Sequence, residues 1–160
     1  MRDALAPLRS DFSVALHTFG NAFSVGAIIR VAHSFLAREV ILIGSDPHYA
    51  KASMGMEKYE RIVRVPDAPA FREFVGTRPV WAVEKDQARR SLHAPGPYPR
   101  DVVFLFGSER SGLPAEALEA ADEVLGIPMY GVNHSFPVTV AAGIVMADWA
   151  RRRFSPGHLF

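Results

Sequence analysis

Apolar residues in this chain gather into short runs separated by stretches with helical spacing. The densest run is Val102–Phe106, VVFLF, whose five consecutive apolar residues predict a strand buried on both faces, as in a parallel sheet. Further strands are predicted at 12–19 (FSVALHTF), 40–44, 62–65, 80–83 and 123–128. Helical segments alternate with them. Within 24–37, Val25, Ile28, Ile29, Ala32, Phe35 and Leu36 fall on one stripe, with Gly20-Asn21 as the preceding turn and Arg30 at the margin of the polar face. Short helices are predicted around 50–54 and over 69–75, and another opens at Pro114, whose missing N–H costs nothing in a first turn. Residues 85–100, with Pro95, Pro97 and Pro99, read as a loop holding at most one helical turn.

The last helix is predicted over 138–153, VTVAAGIVMADWARRR, with Pro137 as its first residue. Its first three turns are apolar on nearly every side, so two of its faces need covering, one by the sheet and the other by a partner subunit. Strands alternating with helices predict an α/β fold: a mainly parallel sheet of five or six strands flanked by helices, with 1–160 as one domain.

Composition narrows the function classes. No apolar run approaches the roughly 20 residues that span a bilayer, and the N-terminal MRDALAPLRSDF lacks the apolar stretch of a signal peptide, so a cytoplasmic location away from membranes is expected. The absence of cysteine excludes disulfide scaffolds, thiolate metal sites and cysteine nucleophiles. Six histidines are dispersed without ligand spacing, and no metal is expected; His33 and His134 read as surface or hydrogen-bonded residues. A net charge of +1 gives no global field that would announce nucleic acid. The clusters Arg89-Arg90 and Arg151-Arg152-Arg153 read, taken alone, as solvated surface and helix-end charge, which permits an RNA partner without arguing for one.

The chemistry centres on VVFLFGSERSGLPAEAL, a strand followed by a glycine loop and a helix start, the layout of ligand sites in open α/β sheets. Gly107 and Gly112 bracket the acid–base pair Glu109 and Arg110. This is no phosphate loop, because Leu113 stands where the lysine belongs. Two other segments mix glycine with polar side chains after strands: 20–30 with Asn21, Ser24 and Arg30, and 127–137 with Asn133, His134 and Ser135. The three are predicted to meet at one sheet edge. A G-x-S-x-G elbow and a G-x-G-x-x-G fingerprint are both missing, which disfavours a serine hydrolase and a dinucleotide site.

These segments carry a resemblance. N-x-x-S-x-G-x-x-x-R (Asn21, Ser24, Gly26, Arg30), then FGSERSGLP, then IPMYGVNHSFPVTVAAG resemble, in order, the three motifs of the SpoU/TrmH family of SPOUT-class RNA 2′-O-ribose methyltransferases. The resemblance implies an α/β domain with a C-terminal trefoil knot, which pattern alone would not suggest because connections seldom thread loops. It implies a homodimer through the first and last helices. It further implies S-adenosylmethionine as methyl donor, bound largely by backbone at Val83, Gly107, Ile127, Ser135 and Phe136. Arg30 and Glu109 are the carried-over catalytic residues. An arginine is not deprotonated in proteins, so Arg30 is expected to hold a phosphate bidentately and stabilise a developing 2′-alkoxide, with phosphate or water taking the proton. Glu109 is expected to orient Arg30 or its own loop. The expected substrate is RNA, with tRNA favoured because the size resembles the small wobble-position tRNA methyltransferases. Arg89, Arg90, Arg110 and the 151–153 cluster are then candidates for phosphate contacts. Two positions depart from the pattern: Ser24 replaces an asparagine, and Pro137 replaces the asparagine of the usual S-L-N. The second implies either a donor loop held another way or a weakened donor site, the latter leaving a non-catalytic RNA-binding module. A small-molecule enzyme sharing only the strand–loop layout is the third reading.

Overall fold

The VVFLF run lies at the centre of a seven-stranded parallel sheet. The computed structural model describes residues 2–17, 20–45, 47–48 and 50–153. Its strands are β1 (Phe12–His17), β2 (Val40–Ile43), β3 (Ile62–Val65), β4 (Val80–Val83), β5 (Arg90–Ser91), β6 (Val102–Phe106) and β7 (Glu123–Gly126). They lie in the order β3-β2-β1-β6-β4-β7-β5, every pair parallel. The helices are α1 (Arg2–Leu5), α2 (Ala22–Ser34), α3 (Ala50–Ser53), α4 (Ala68–Val75), α5 (Ala115–Glu119) and α6 (Val138–Arg152), with 3-10 turns at Ala6–Leu8 and Met56–Lys58. The expected five or six strands become seven because the stretch read as a loop contributes β5, where Arg90 and Ser91 pair with Leu125 and Gly126. Two residues are too few to show a period.

Both sheet faces are covered, and β6 shows it residue by residue. Val102, Phe104 and Phe106 join the core cluster beneath α2 and α6, whereas Val103 and Leu105 join the one beneath α4 and α5. Helix ends differ from expectation where caps decide them. The Asn21 carboxamide oxygen accepts from the Phe23 and Ser24 N–H groups at 3.1 and 3.2 Å, so α2 opens two residues early. It ends before Leu36, which adopts a φ of 52°. Pro114 and Pro137 precede their helices in extended conformation rather than forming the first turn. Of the predicted strand 12–19, Thr18 and Phe19 lie outside the described residues, as does the end of the chain from 154.

Helix α6 packs on α2 and buries Val138, Ala142, Val145, Met146 and Trp149, leaving Val140 and Ala147 exposed. Its other end is fastened to the 85–100 segment. The Tyr98 hydroxyl donates to Asp148 Oδ2 at 2.7 Å, while Arg152 donates to the same oxygen at 2.7 Å and to the Leu92 carbonyl at 2.6 Å. Arg152 is therefore a buried tie rather than a surface cation, and Arg153 is paired with Asp11 at 3.2 Å. His33 is hydrogen-bonded, its Nδ1 lying 2.6 Å from the fully buried Glu60, which also binds Arg9. Among the described residues no helix is long and apolar enough to cross a membrane.

Candidate active site

Because β6, β4 and β7 are neighbours, their carboxyl ends, Phe106, Val83 and Gly126, stand side by side, and the segments leaving them share one edge of the sheet. Between these segments lies a cavity of about 400 Å³, within the usual range for small-molecule sites. Val83 to Gln87 form one wall, Phe106 to Leu113 a second, and Ile127, Met129, His134 to Phe136, Val138 and Ala141 the third.

Glycine shapes the second wall. A Cβ on Gly107 would stand 2.4 Å from the Gly112 carbonyl carbon and oxygen, so only glycine lets the loop close on itself. The closure is a one-pair bridge between Ser108 and Gly112, with the Gly112 N–H donating to the Ser108 carbonyl at 2.8 Å. Gly112 has a φ of +63° and lies against the Glu84 carboxylate, which a Cβ would meet at 2.4 Å.

Three side chains stitch the walls together. Glu84 accepts from the Leu113 N–H at 3.2 Å, joining the first wall to the second. Glu109 accepts from the Val138 N–H at 3.0 Å, joining the second to the third. Lys85 donates to the His134 carbonyl at 3.3 Å and joins the third back to the first. The Glu109 contact also supplies what Pro137 lacks. Pro137 offers no side-chain cap to α6, and the carboxylate from the glycine loop satisfies an orphan N–H there.

The structure thus gathers Val83, Gly107, Glu109, Ile127, Ser135 and Phe136 around one cavity. Arg30 is not among the lining residues. It is exposed on α2, about 14 Å along the helix from its Asn21 cap. The 20–30 segment, expected as part of the cluster, instead gives Asn21 to capping and buries Ser24. Within the chain, Glu109 holds Val138 rather than orienting Arg30. The first wall comes from 83–87, of which the sequence points to Val83 alone. Its signal was legible: Glu84-Lys85 directly follows a strand, as Glu109-Arg110 nearly does.

A methyl donor of the sulfonium type would need a cavity with carboxylates for its positive charge and apolar surface for its adenine. Glu84, Asp86 and Glu109 provide the first, and Phe106, Leu113, Ile127 and Phe136 the second, so the residues present fit that group.

A ligand cavity built on glycine loops at the carboxyl ends of adjacent parallel strands makes this an α/β ligand-binding protein. Within that class, the chain belongs to the SpoU rRNA Methylase family, whose model matches residues 11–147. It is 26% identical over 162 residues to a tRNA (guanosine(18)-2′-O)-methyltransferase of Thermus thermophilus, covering 98% of this chain and 83% of that one. The crystal structure of an AdoMet-bound rRNA methyltransferase from Sinorhizobium meliloti matches with a TM-score of 0.80 at 28% identity, over 96% of this chain and 60% of that one. The SpoU methyltransferase AviRb from Streptomyces viridochromogenes shares the fold with a TM-score of 0.82 at 22% identity, over 92% of this chain and 62% of that one. This chain therefore spans less than two thirds of the length of either solved protein.

Proposed function

We propose that this chain transfers a methyl group from S-adenosylmethionine to a ribose 2′-hydroxyl of RNA. The observation that carries the reading is the convergence of Val83, Gly107, Ile127, Ser135 and Phe136, drawn from three separate loops, on one cavity lined with carboxylates. We favour tRNA as substrate because the Thermus relative, which acts on tRNA, is matched over most of both chains. A role on RNA goes with a cytoplasmic location.

When bound, the donor supplies an electrophilic methyl carbon. The chain's part is placement and charge. Backbone groups at Val83, Gly107, Ile127, Ser135 and Phe136 hold the donor, while Glu109 keeps the second and third walls in register through Val138. Arg30 grips the phosphate beside the target ribose bidentately and stabilises negative charge on O2′ as its proton leaves to phosphate or water. Since Arg30 lies outside its own chain's cavity, we assign it to the cavity of a second copy. The open face of α6, with Val140 and Ala147 exposed and nothing within 4 Å of a Cβ on Gly143, supports a homodimer through α2 and α6. The strand order β6-β4-β7-β5, in which later strands lie beside and between earlier ones, supports a threaded C-terminal knot. Pro137 does not argue for a non-catalytic module, because Glu109 caps α6 and the cavity stays open.

The test is transfer of labelled methyl from S-adenosylmethionine to unmodified total tRNA and, separately, to ribosomal RNA, followed by digestion to nucleosides. Label in 2′-O-methyl nucleosides of tRNA, lost in Arg30→Ala, is the expected result. No transfer to either RNA, together with no donor binding by calorimetry, would overturn the reading.

A further inference from the structure

The third wall of the cavity carries a feature that methyl-donor binding does not use. Tyr130 is 88% exposed and Val132 is 96% exposed, the two most exposed large apolar side chains among the described residues. They stand on a turn that is held in place. A Cβ on Gly131 would meet Asn133 Oδ1 at 2.9 Å, the Asn133 amide donates to the Ser135 carbonyl at 3.4 Å, and Lys85 grips the His134 carbonyl. The turn follows Met129, which with Lys85 and Ile127 lines both the cavity and an adjoining notch whose lining also includes Arg89 and Arg90. Arg89 pairs with Glu123 at 3.4 Å yet keeps 60% of its side chain exposed, and Arg90 is fixed by the Pro95 carbonyl at 2.8 Å and by the Trp81 ring at 5.3 Å.

We propose that Tyr130 is a stacking platform for an unpaired base next to the methylated nucleotide, with Lys85, Arg89 and Arg90 holding the phosphates beyond it. The proposal rests on the RNA-methylating reading above. An aromatic ring beside a cationic track is how proteins hold splayed, single-stranded RNA, because every base offers a π-face and the backbone offers charge. Charge complementarity selects this occupant over a second copy of the chain: the notch is cationic, whereas the α6 face assigned to the dimer is apolar. The substrate implied is an RNA loop or bulge rather than a paired stem.

The test uses the full-length protein and two fluorescent single strands of roughly a dozen nucleotides, one of mixed sequence and one abasic throughout. Affinities are measured at low salt for wild type, Tyr130→Ala and Tyr130→Phe. Donor binding by calorimetry and the assembly state by sedimentation are measured beside them. Tyr130→Ala is expected to weaken the mixed strand roughly five- to hundredfold while leaving the abasic strand and the donor unchanged. Tyr130→Phe should bind like wild type. Equal binding of the mixed strand by wild type and Tyr130→Ala, with methyl transfer intact, would overturn the proposal and leave the enzymatic reading standing. A dimer weakened by Tyr130→Ala would assign the turn to contact between copies and overturn it as well. Failure of wild type to bind either strand or accept total tRNA would remove the parent reading and this one with it.

Discussion

Gly107→Ala tests whether the glycine loop shapes the cavity. The added methyl would sit 2.4 Å from the Gly112 carbonyl carbon and oxygen and 2.6 Å from the Leu113 nitrogen. All three are backbone atoms, held by the Ser108–Gly112 bridge and by the Glu84 carboxylate on Leu113. None can swing aside as a flexible side chain would. Gly107 is not in the left-handed region, so the cost comes from contact rather than backbone conformation. Overpacking of this kind costs about 1–3 kcal/mol, and three backbone contacts put the variant in the upper part, about 2–3 kcal/mol. For a chain of this size that lowers Tm by roughly 4–12 °C. Scanning calorimetry at one protein concentration would measure it, so that any association between copies is the same for both proteins. Titration with S-adenosylmethionine should show donor affinity reduced at least about tenfold, because opening the loop separates Leu113 from Glu84 and breaks the wall. A variant that melts within a degree of wild type and binds donor normally would refute the packing argument. Lower melting with unchanged donor affinity would refute the link between this loop and the cavity.

Four further outcomes follow from the same geometry. Glu109→Ala removes the acceptor at the start of α6 and should cost about 1 kcal/mol, whereas Glu109→Gln keeps an acceptor and should cost a few tenths; equal urea midpoints for Glu109→Ala and wild type would contradict the capping role. Burial pushes the Asp148 carboxyl up, but hydrogen bonds from Tyr98, Arg151 and Arg152 together outweigh it and hold it below its ordinary value of 3.8. Its stabilisation is therefore present in full above that value and lost as pH falls through the depressed one, so the Tm gap between wild type and Asp148→Asn should shrink on acidification below about 4. Gly143→Leu adds a side chain where the single chain has open space; sedimentation should show a folded protein with a dimer weakened at least about tenfold, and an unchanged dimer would remove this face of α6 from the interface. Co-expressing Arg30→Ala with Gly107→Ala should restore methyl transfer in mixed dimers if Arg30 serves the partner's cavity, and should leave both dead if each chain uses its own.

What was legible in the sequence follows from where the information lies. Val102–Phe106 announced a doubly covered strand because burial on both faces demands an unbroken apolar run, and the structure divides its side chains between two cores. The alternation of such runs with helical stripes was enough for a parallel α/β sheet. Helix ends were less legible because side-chain geometry sets them: Asn21, read as part of a turn, is the cap that starts α2. β5 was missed because two residues at a sheet edge carry no period. The cavity was half legible. Glycines at 107 and 112 marked a tight loop, but strand order is not written in any local pattern, and β6-β4-β7 adjacency decides which loops meet. That order brings in the Glu84 segment; the Asn21 segment leaves β1, on the other side of β6, and gives its side chain to the cap of α2. The basic run 151–153 was legible only in part: Arg151 is the exposed helix-end charge it reads as, whereas Arg152 looks like a surface cation until Asp148, Tyr98 and Leu92 are seen around it.

The departure at Pro137 shows how one loop's chemistry can be made good by another's. A proline before α6 leaves the first turn of that helix without a side-chain cap and has no backbone N–H of its own to offer. One of the orphan N–H groups of that first turn, Val138, is satisfied by Glu109 from the glycine loop, so the defect becomes a cross-link between two walls. Glu84 on Leu113 and Lys85 on His134 complete the circuit. Each bond alone contributes only about 0.5–1.5 kcal/mol, but the three tie together loops whose roots the neighbouring strands β6, β4 and β7 already hold side by side. Around a ring, loosening one link shifts the ends of the other two. The cavity's shape is thereby a property of the three loops jointly, and substitutions at Glu84, Lys85 and Glu109 belong to one coupled unit whose effects will not simply add.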